Sequence, residues 1–264
     1  MKSKLEGLKK IEKPVPARME SPYFQKLKEE ISSGESGNEE LDTALKGGLI
    51  SSEDHHVLVS ELSKILEKAA ITDPLTGLLN RRTFIPKINK LRKDLNESVS
   101  KDQRKLRLDS ILVVSVDLEG LKFFNEKPYS HDVGNKALII FTNKLKEVLR
   151  RDGDSAFRLG GDEFALVLPI YTNSESAEKL YARIQKEINK LLHLSVQKVA
   201  TDAGMQNREW DLLIRATFGH AIAKRGDLRT VEQLITEADT EERNAKDERN
   251  IHRKNLEQQK FSTL

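Results

Sequence analysis

The sequence predicts an α+β domain of ferredoxin-like βαββαβ topology with an antiparallel central sheet, preceded by a helical N-terminal extension. Three observations carry this expectation. Ile111-Leu112-Val113-Val114-Ser115-Val116 is a short, β-branched apolar run of the kind a central strand shows. Phe157-Arg158-Leu159 and Phe164-Ala165-Leu166-Val167-Leu168 are strand-like runs split by Gly160-Gly161-Asp162-Glu163, a hairpin pattern. Amphipathic helical segments follow both the first strand and the hairpin, which is the order of a split βαβ unit.

In chain order, residues 1–53 read as a polar, partly helical or disordered extension. Lysines at 2, 4, 9, 10 and 13, Pro14 and Pro16, and the stretch Ser32–Gly37 leave little apolar surface to offset chain entropy. Short helices are expected around Phe24–Ile31 and Glu39–Leu45. Over 54–72, Leu58, Leu62, Ile65 and Ala69 form one helical seam. That seam either packs within its own unit or pairs with a second chain as a signalling and dimerisation helix. The globular domain is expected over 73–252, with a polar tail at 253–264. Leu138, Phe141, Leu145 and Val148 share one face of a helix over 131–150, and Ala177, Leu180, Ile184, Ile188 and Leu191 mark a second helix. Residues 214–223 read as the last strand and 230–249 as the last helix. Residues 94–108 and 197–210 are expected to be surface loops.

Composition narrows the function classes. Lys+Arg number 45 against 42 Asp+Glu, a formal net charge of +3, which argues against a dedicated nucleic-acid coat. With no cysteine, disulfides, thiolate metal sites and a cysteine nucleophile are excluded. The longest apolar run falls far short of the roughly 20 residues of a membrane helix. No apolar stretch follows the basic N-terminus, so no secretory signal or transmembrane segment is expected, and the chain is expected to be cytoplasmic.

The chemistry concentrates in acids placed at strand ends. Asp117 closes the first apolar strand, and Asp162-Glu163 occupies the hairpin turn, next to it in a ferredoxin-like sheet. Converging carboxylates repel, and a divalent cation shared with substrate phosphates relieves the repulsion; hard oxygen ligands favour Mg²⁺. The plainer alternative is that Asp162-Glu163 merely caps an exposed turn.

Gly160-Gly161-Asp162-Glu163-Phe164 resembles the signature of the GGDEF family of diguanylate cyclases. Asp73-Pro74-Leu75-Thr76-Gly77-Leu78-Leu79-Asn80-Arg81-Arg82 is similar to the family's opening motif, and Asp117 with Lys122 and Asn125 to its metal-and-nucleotide segment. Thr217-Phe218-Gly219-His220-Ala221 and Ala238-Asp239 with Ala245-Lys246 resemble its late strand and final helix. The resemblance implies a nucleotide-cyclase palm that condenses two GTP into cyclic di-GMP and two pyrophosphates. Two domains would face each other as a homodimer, each holding one GTP. It further implies Mg²⁺ (or Mn²⁺) held by Asp117, the Leu118 carbonyl, Asp162 and Glu163. Glu163 is also a candidate for activating the 3′-hydroxyl, and Asp162 and Glu163 form the catalytic pair. Gly160 and Gly161 would admit the nucleotide without a Cβ clash. Lys122, Lys246 and Arg249 would meet phosphate, while Asn125, His131 and Asn135 would contact the nucleotide. Arg151 and Asp154 match the family's RxxD product-inhibition site, where Arg offers a fork and Asp accepts guanine N–H donors.

Several positions depart from the family pattern. Asn135 stands where an Asp reads guanine; with one acceptor and one donor group, an amide suits adenine at least as well. The segment from Asn125 to His131 is one residue longer, with Ser130 in place of a glycine. Glu119-Gly120-Leu121 replaces an Asp and aromatic residues, and Thr240-Glu241-Glu242-Arg243 replaces an apolar Ala-Leu-Tyr. Arg249 lies three residues past Lys246 rather than four, where Asn250 stands. These departures keep two alternatives open: a cyclase that accepts ATP and makes a mixed dinucleotide, or a catalytically weak cyclic di-GMP receptor or interaction module.

Overall fold

The computed structural model describes residues 22–33, 37–97, 107–121, 131–149, 151–204 and 214–262. The chain divides into two compact units, one ending at Ala70 and the other starting at Ile71.

The first unit is helical: α1 (Pro22–Ser33), α2 (Asn38–Lys46) and α3 (Ser52–Ile71). Glu40 reaches back to the Gly37 N–H, giving α2 a satisfied N-terminus. Phe24, Leu27, Ile31, Leu41, Ala44, Ile50, Leu58 and Leu62 are buried as one cluster, with Ile65 packed at its margin. The extension expected to bury little apolar surface thus holds a core. Leu58 and Leu62, the heart of the α3 seam, are buried against α1 and α2, while Ala69 is exposed.

The second unit contains β1 (Leu79–Asn80), α4 (Arg81–Glu97), β2 (Leu108–Glu119), α5 (His131–Val148), β3 (Ser155–Gly160), β4 (Glu163–Tyr171), α6 (Ala177–Asp202), β5 (Arg215–Lys224) and α7 (Val231–Ser262). The sheet order is β1-β3-β4-β2-β5. From β2 onward this is the expected βαββαβ arrangement, all antiparallel, with the two-residue β1 added parallel to β3.

Alternation along β2 explains how helices cover both faces. Leu112, Val114, Val116 and Leu118 pack with Leu138, Phe141, Leu145, Leu180, Ile184 and Ile188 of α5 and α6. Ile111 and Val113 face the other way, onto Phe84, Ile88, Leu91 and Leu95 of α4 and Val231, Leu234 and Ala238 of α7. A strand buried on both faces reads as a continuous apolar run, which is the pattern of 111–116.

Two expected loops are corrected. Residues 94–97 close α4, with Leu95 buried. Residues 197–202 belong to α6, whose Val199 and Ala200 enter the core. The last helix continues to Ser262 rather than ending at 249.

Backbone approach fixes α7 on the sheet. A Cβ at Gly219 of β5 would overlap the Ala238 carbonyl oxygen and the Glu242 nitrogen, so the residue type sets how closely α7 lies on β5. β5 is also an edge strand, and side chains take three of its backbone groups. Ala216 N–H donates to Asn189 Oδ1 (3.2 Å), His220 N–H to Glu241 Oε2 (2.7 Å), and Arg229 Nη2 to the Ile222 carbonyl (2.6 Å).

Candidate nucleotide and metal site

The hairpin that carries the acids is braced from below. Gly161 turns the chain at φ +44°, and Arg158 donates to its carbonyl through Nε (3.0 Å) and Nη2 (2.9 Å). Arg158 Nη1 also reaches Asp73 Oδ1 at 3.1 Å, tying the opening motif to β3. Burial works to raise the Asp73 carboxyl, but hydrogen bonds from Thr76 and Arg158 outweigh it and hold it below the usual carboxylate value. Lys146 of α5 donates to the Thr76 carbonyl at 2.7 Å, so this turn is also fastened to α5.

Above that brace, Leu118 N–H donates to the Asp162 carbonyl at 3.0 Å, bringing the hairpin tip onto β2. Asp117 then stands directly opposite Glu163 on β4 and opposite Thr217 on β5. Lys246 of α7 donates to Asp117 Oδ2 at 2.5 Å. Burial opposes the Lys246 charge, yet the hydrogen bond and charge of Asp117 outweigh it and hold the ammonium above its usual value.

A cleft of about 440 Å³ opens here, where Asp117, Glu163, Asp239 and Glu242 meet Arg243 and Lys246. Glu242 is 9% exposed, and its Oε1 has no hydrogen-bond partner. Its carboxyl is raised, first by burial and then by the charge of Asp117, with Lys246 opposing. Gly160 and Gly161 border an adjacent hollow with Arg81, Arg82 and Arg158, and a Cβ at either glycine would meet open space.

Other expected site residues fall differently. Arg249 is engaged with Thr217 and lies 3.4 Å from Glu119 Oε1, so its guanidinium is committed to β2 and β5 side chains. Thr217 also donates to Glu119. Asn135 is half-buried in the second turn of α5. His131 opens α5, but its side chain is outside the described residues, as are Lys122 and Asn125 entirely. Arg151 and Asp154 precede β3. Asp154 N–H donates to the Arg151 carbonyl at 3.0 Å, and the Asp154 side chain is only 3% exposed. Burial raises the Asp154 carboxyl, against the nearby Arg151 charge.

Sequence reasoning gave no role to Arg81, Asp239, Glu242 or Arg243. A signal for the last three existed. Positions 239, 242, 243 and 246 fall three, four and seven residues apart, which is one face of a helix, and that face already carried Lys246.

The donor set at the strand ends suits a hard divalent cation, since it offers carboxylates and a carbonyl and no thiolate. Among the described residues, no three acidic or histidine side chains are already gathered closely enough to hold a metal ion.

A fold of this topology with acids at a β-hairpin tip defines a class, the nucleotide-cyclase-like palm domains, and comparison with known proteins narrows it. The family model "Diguanylate cyclase, GGDEF domain" matches residues 70–252, and the chain belongs to that family. It is 31% identical over 128 residues to the probable diguanylate cyclase DgcJ of Escherichia coli, covering 48% of this chain and 23% of that protein. It is 28% identical over 182 residues to the diguanylate cyclase VdcA of Vibrio cholerae, covering 69% of this chain and 45% of that protein. The chain thus spans less than half of these curated relatives. Among solved structures, the coiled coil and GGDEF domain of DgcB from Caulobacter crescentus, in complex with c-di-GMP, shares the fold. Its TM-score is 0.53 at 21% identity, covering 77% of this chain and 94% of that one. A sensory box/GGDEF family protein from the same organism matches with TM-score 0.50 at 23% identity, covering 67% of this chain and 99% of that one.

Proposed function

We propose that the chain is a diguanylate cyclase. Two GTP molecules, one on each of two facing domains, are joined as each 3′-hydroxyl attacks the other nucleotide's α-phosphate. Two new phosphodiesters form and two pyrophosphates leave. The observation that carries this reading is the register of Asp117 opposite Glu163, with the Asp162 backbone tied to β2 and Lys246 beside Asp117.

In this reading Asp117, the Leu118 carbonyl, Asp162 and Glu163 would hold Mg²⁺ or Mn²⁺. The ion would neutralise triphosphate charge and polarise the α-phosphate. Lys246 pairs with Asp117 and would be placed to meet substrate phosphate. Glu163, exposed at the start of β4, accepts the proton of the 3′-hydroxyl. Gly160 and Gly161 leave open space for the nucleotide. Because one domain supplies half of the reacting pair, activity requires a homodimer. Arg151 and Asp154 bind the product and inhibit further turnover. Among the described residues, no helix is long and apolar enough to cross a membrane.

A second reading within the same chemistry rests on Asn135, whose amide fits adenine at least as well as guanine. Product analysis by chromatography and mass decides between them. The purified chain is incubated with Mg²⁺ and GTP, with ATP, and with both. Cyclic di-GMP from GTP alone supports the leading reading, and a mixed dinucleotide supports the second. No product from a demonstrated dimer overturns both and leaves the receptor reading.

A further inference from the structure

Lys246 has a carboxylate on either side of it. Across the cleft it donates to Asp117 Oδ2 at 2.5 Å, reaching from α7 to the end of β2. On its own helix, Glu242 stands four residues earlier, so the two side chains leave the same face, in the order that favours a glutamate–lysine pair. Asp117, Glu242 and Lys246 line the same cleft. Glu242 is 9% exposed, and its Oε1 is buried without a hydrogen-bond partner. The adjacent Arg243 turns back along the helix, where its Nε donates to the Asp239 carbonyl at 3.3 Å. Lys246 does act on Glu242, since its charge opposes the rise that burial and Asp117 cause in that carboxyl. Among the described residues, no three acids are gathered closely enough to share one ion, so Glu242 is placed to serve the lysine rather than a metal.

A buried carboxylate oxygen left without a donor is unfavourable. Its placement is explained if a donor reaches it in another state of the site. We propose that Glu242 is a second acceptor for Lys246. The ammonium is held by Asp117 before a divalent cation binds, and passes to Glu242, one helical turn back, when Asp117 engages that cation. Release of Asp117 then leaves neither charge stranded, because the ammonium keeps a carboxylate partner and Glu242 gains the donor it lacks. Glu242 therefore acts through Lys246, as a positioning residue that eases cation binding at Asp117. This rests on the reading above that Asp117 helps to hold the cation.

The test is calorimetric titration of the full chain with Mn²⁺ alone at neutral pH. Glu242→Gln is expected to weaken Mn²⁺ binding about two- to fivefold, the range that a partly exposed ion pair supports. Lys246→Met removes the competing ammonium and is expected to tighten binding. In that background Glu242→Gln is expected to change nothing, because its partner is gone. Asp239→Asn removes an equal charge from the same cleft and helix, but two turns from Lys246, and is expected to change affinity less. Equal affinity for Glu242→Gln and the natural chain overturns the proposal. An equal loss from Asp239→Asn also overturns it, as does an undiminished Glu242→Gln effect in the Lys246→Met background, which would place the carboxylate's action on the cation itself. Asp117→Asn separates the two readings. If it loses Mn²⁺ binding while Glu242→Gln is neutral, only the second-acceptor role fails. If it binds as tightly as the natural chain, or if the natural chain binds no Mn²⁺, the cation reading fails and the second-acceptor role fails with it.

Discussion

Lys246 on α7 and Asp117 at the end of β2, 129 positions apart, meet as an ion pair of 2.5 Å, and the pair sits where the hairpin tip and the last helix converge. The ion pair holds the Asp117 side chain in place before any ligand arrives, and Asp117 in turn holds the Lys246 ammonium above its usual value. The pair joins the sheet to α7, so the two elements that carry the proposed chemistry are positioned by each other.

Asp117→Asn keeps the shape and removes the charge. Cyclic di-GMP formation is expected to fall at least about 100-fold, the scale of losing one preorganised electrostatic group. The melting temperature should stay within a few degrees, because Lys246 is 39% exposed and can be solvated. Retention of a tenth or more of the activity would remove Asp117 from the catalytic machinery.

Gly219→Ala inserts a methyl group between β5 and the α7 backbone, where Ala238 and Glu242 leave no room. Overpacking of this kind costs about 1–3 kcal/mol. Urea unfolding of the natural and substituted chains measures the loss. Activity should fall too, since α7 must shift and carries Lys246 with it. An unchanged midpoint would mean that α7 is not seated as described.

Glu242→Gln should stabilise the chain at neutral pH, because it removes a charge that burial and the neighbouring Asp117 disfavour. The sign with pH follows from the direction of the shift. The folded value lies above the ordinary 4.5, so the carboxylate costs stability above the raised value and costs nothing below 4.5. The advantage of Glu242→Gln should therefore shrink as pH falls toward 4.5. Denaturant melts at several pH values would reveal the trend, and a gap that widens on acidification would contradict it.

Arg229→Gln should act in the opposite sense. Arg229 donates to both oxygens of Asp227, and these hydrogen bonds, more than any other influence, hold the carboxyl at about 2. A depressed folded value contributes stability above 3.8 that is lost as pH falls toward 2. With Arg229 36% exposed, solvent screening trims the effect to about 0.2–1 kcal/mol at pH 7. The difference between the natural chain and Arg229→Gln should narrow as pH falls from 3.8 toward 2, leaving the part contributed by the Arg229 bond to the Ile222 carbonyl. Melts in which both chains lose stability in parallel would refute this role.

The parts of the fold that the sequence made legible are those where burial prints a pattern. β2 is covered on both faces and reads as an unbroken apolar run, and the hairpin declares itself through Gly160-Gly161. α4 was missed although Phe84, Ile88, Leu91 and Leu95 keep a helical spacing, because the intervening positions are densely charged and the segment adjoins a motif read for its chemistry. The end of α6 was missed because Val199 and Ala200 follow a polar turn of helix that looks like a loop. At the site, Asp117, Asp162 and Glu163 were visible as residues at strand ends. The commitment of Arg249 to Thr217 and Glu119 was not visible, since it depends on the distance between α7 and β5, which Gly219 sets.

Asn189, Glu241 and Arg229 occupy three of the backbone groups of β5. An open sheet margin invites another chain to add a strand, and such addition is hard to reverse. Here that invitation is reduced, and the opposite margin, β1, offers only two residues. Strand addition at either margin of this sheet is therefore disfavoured.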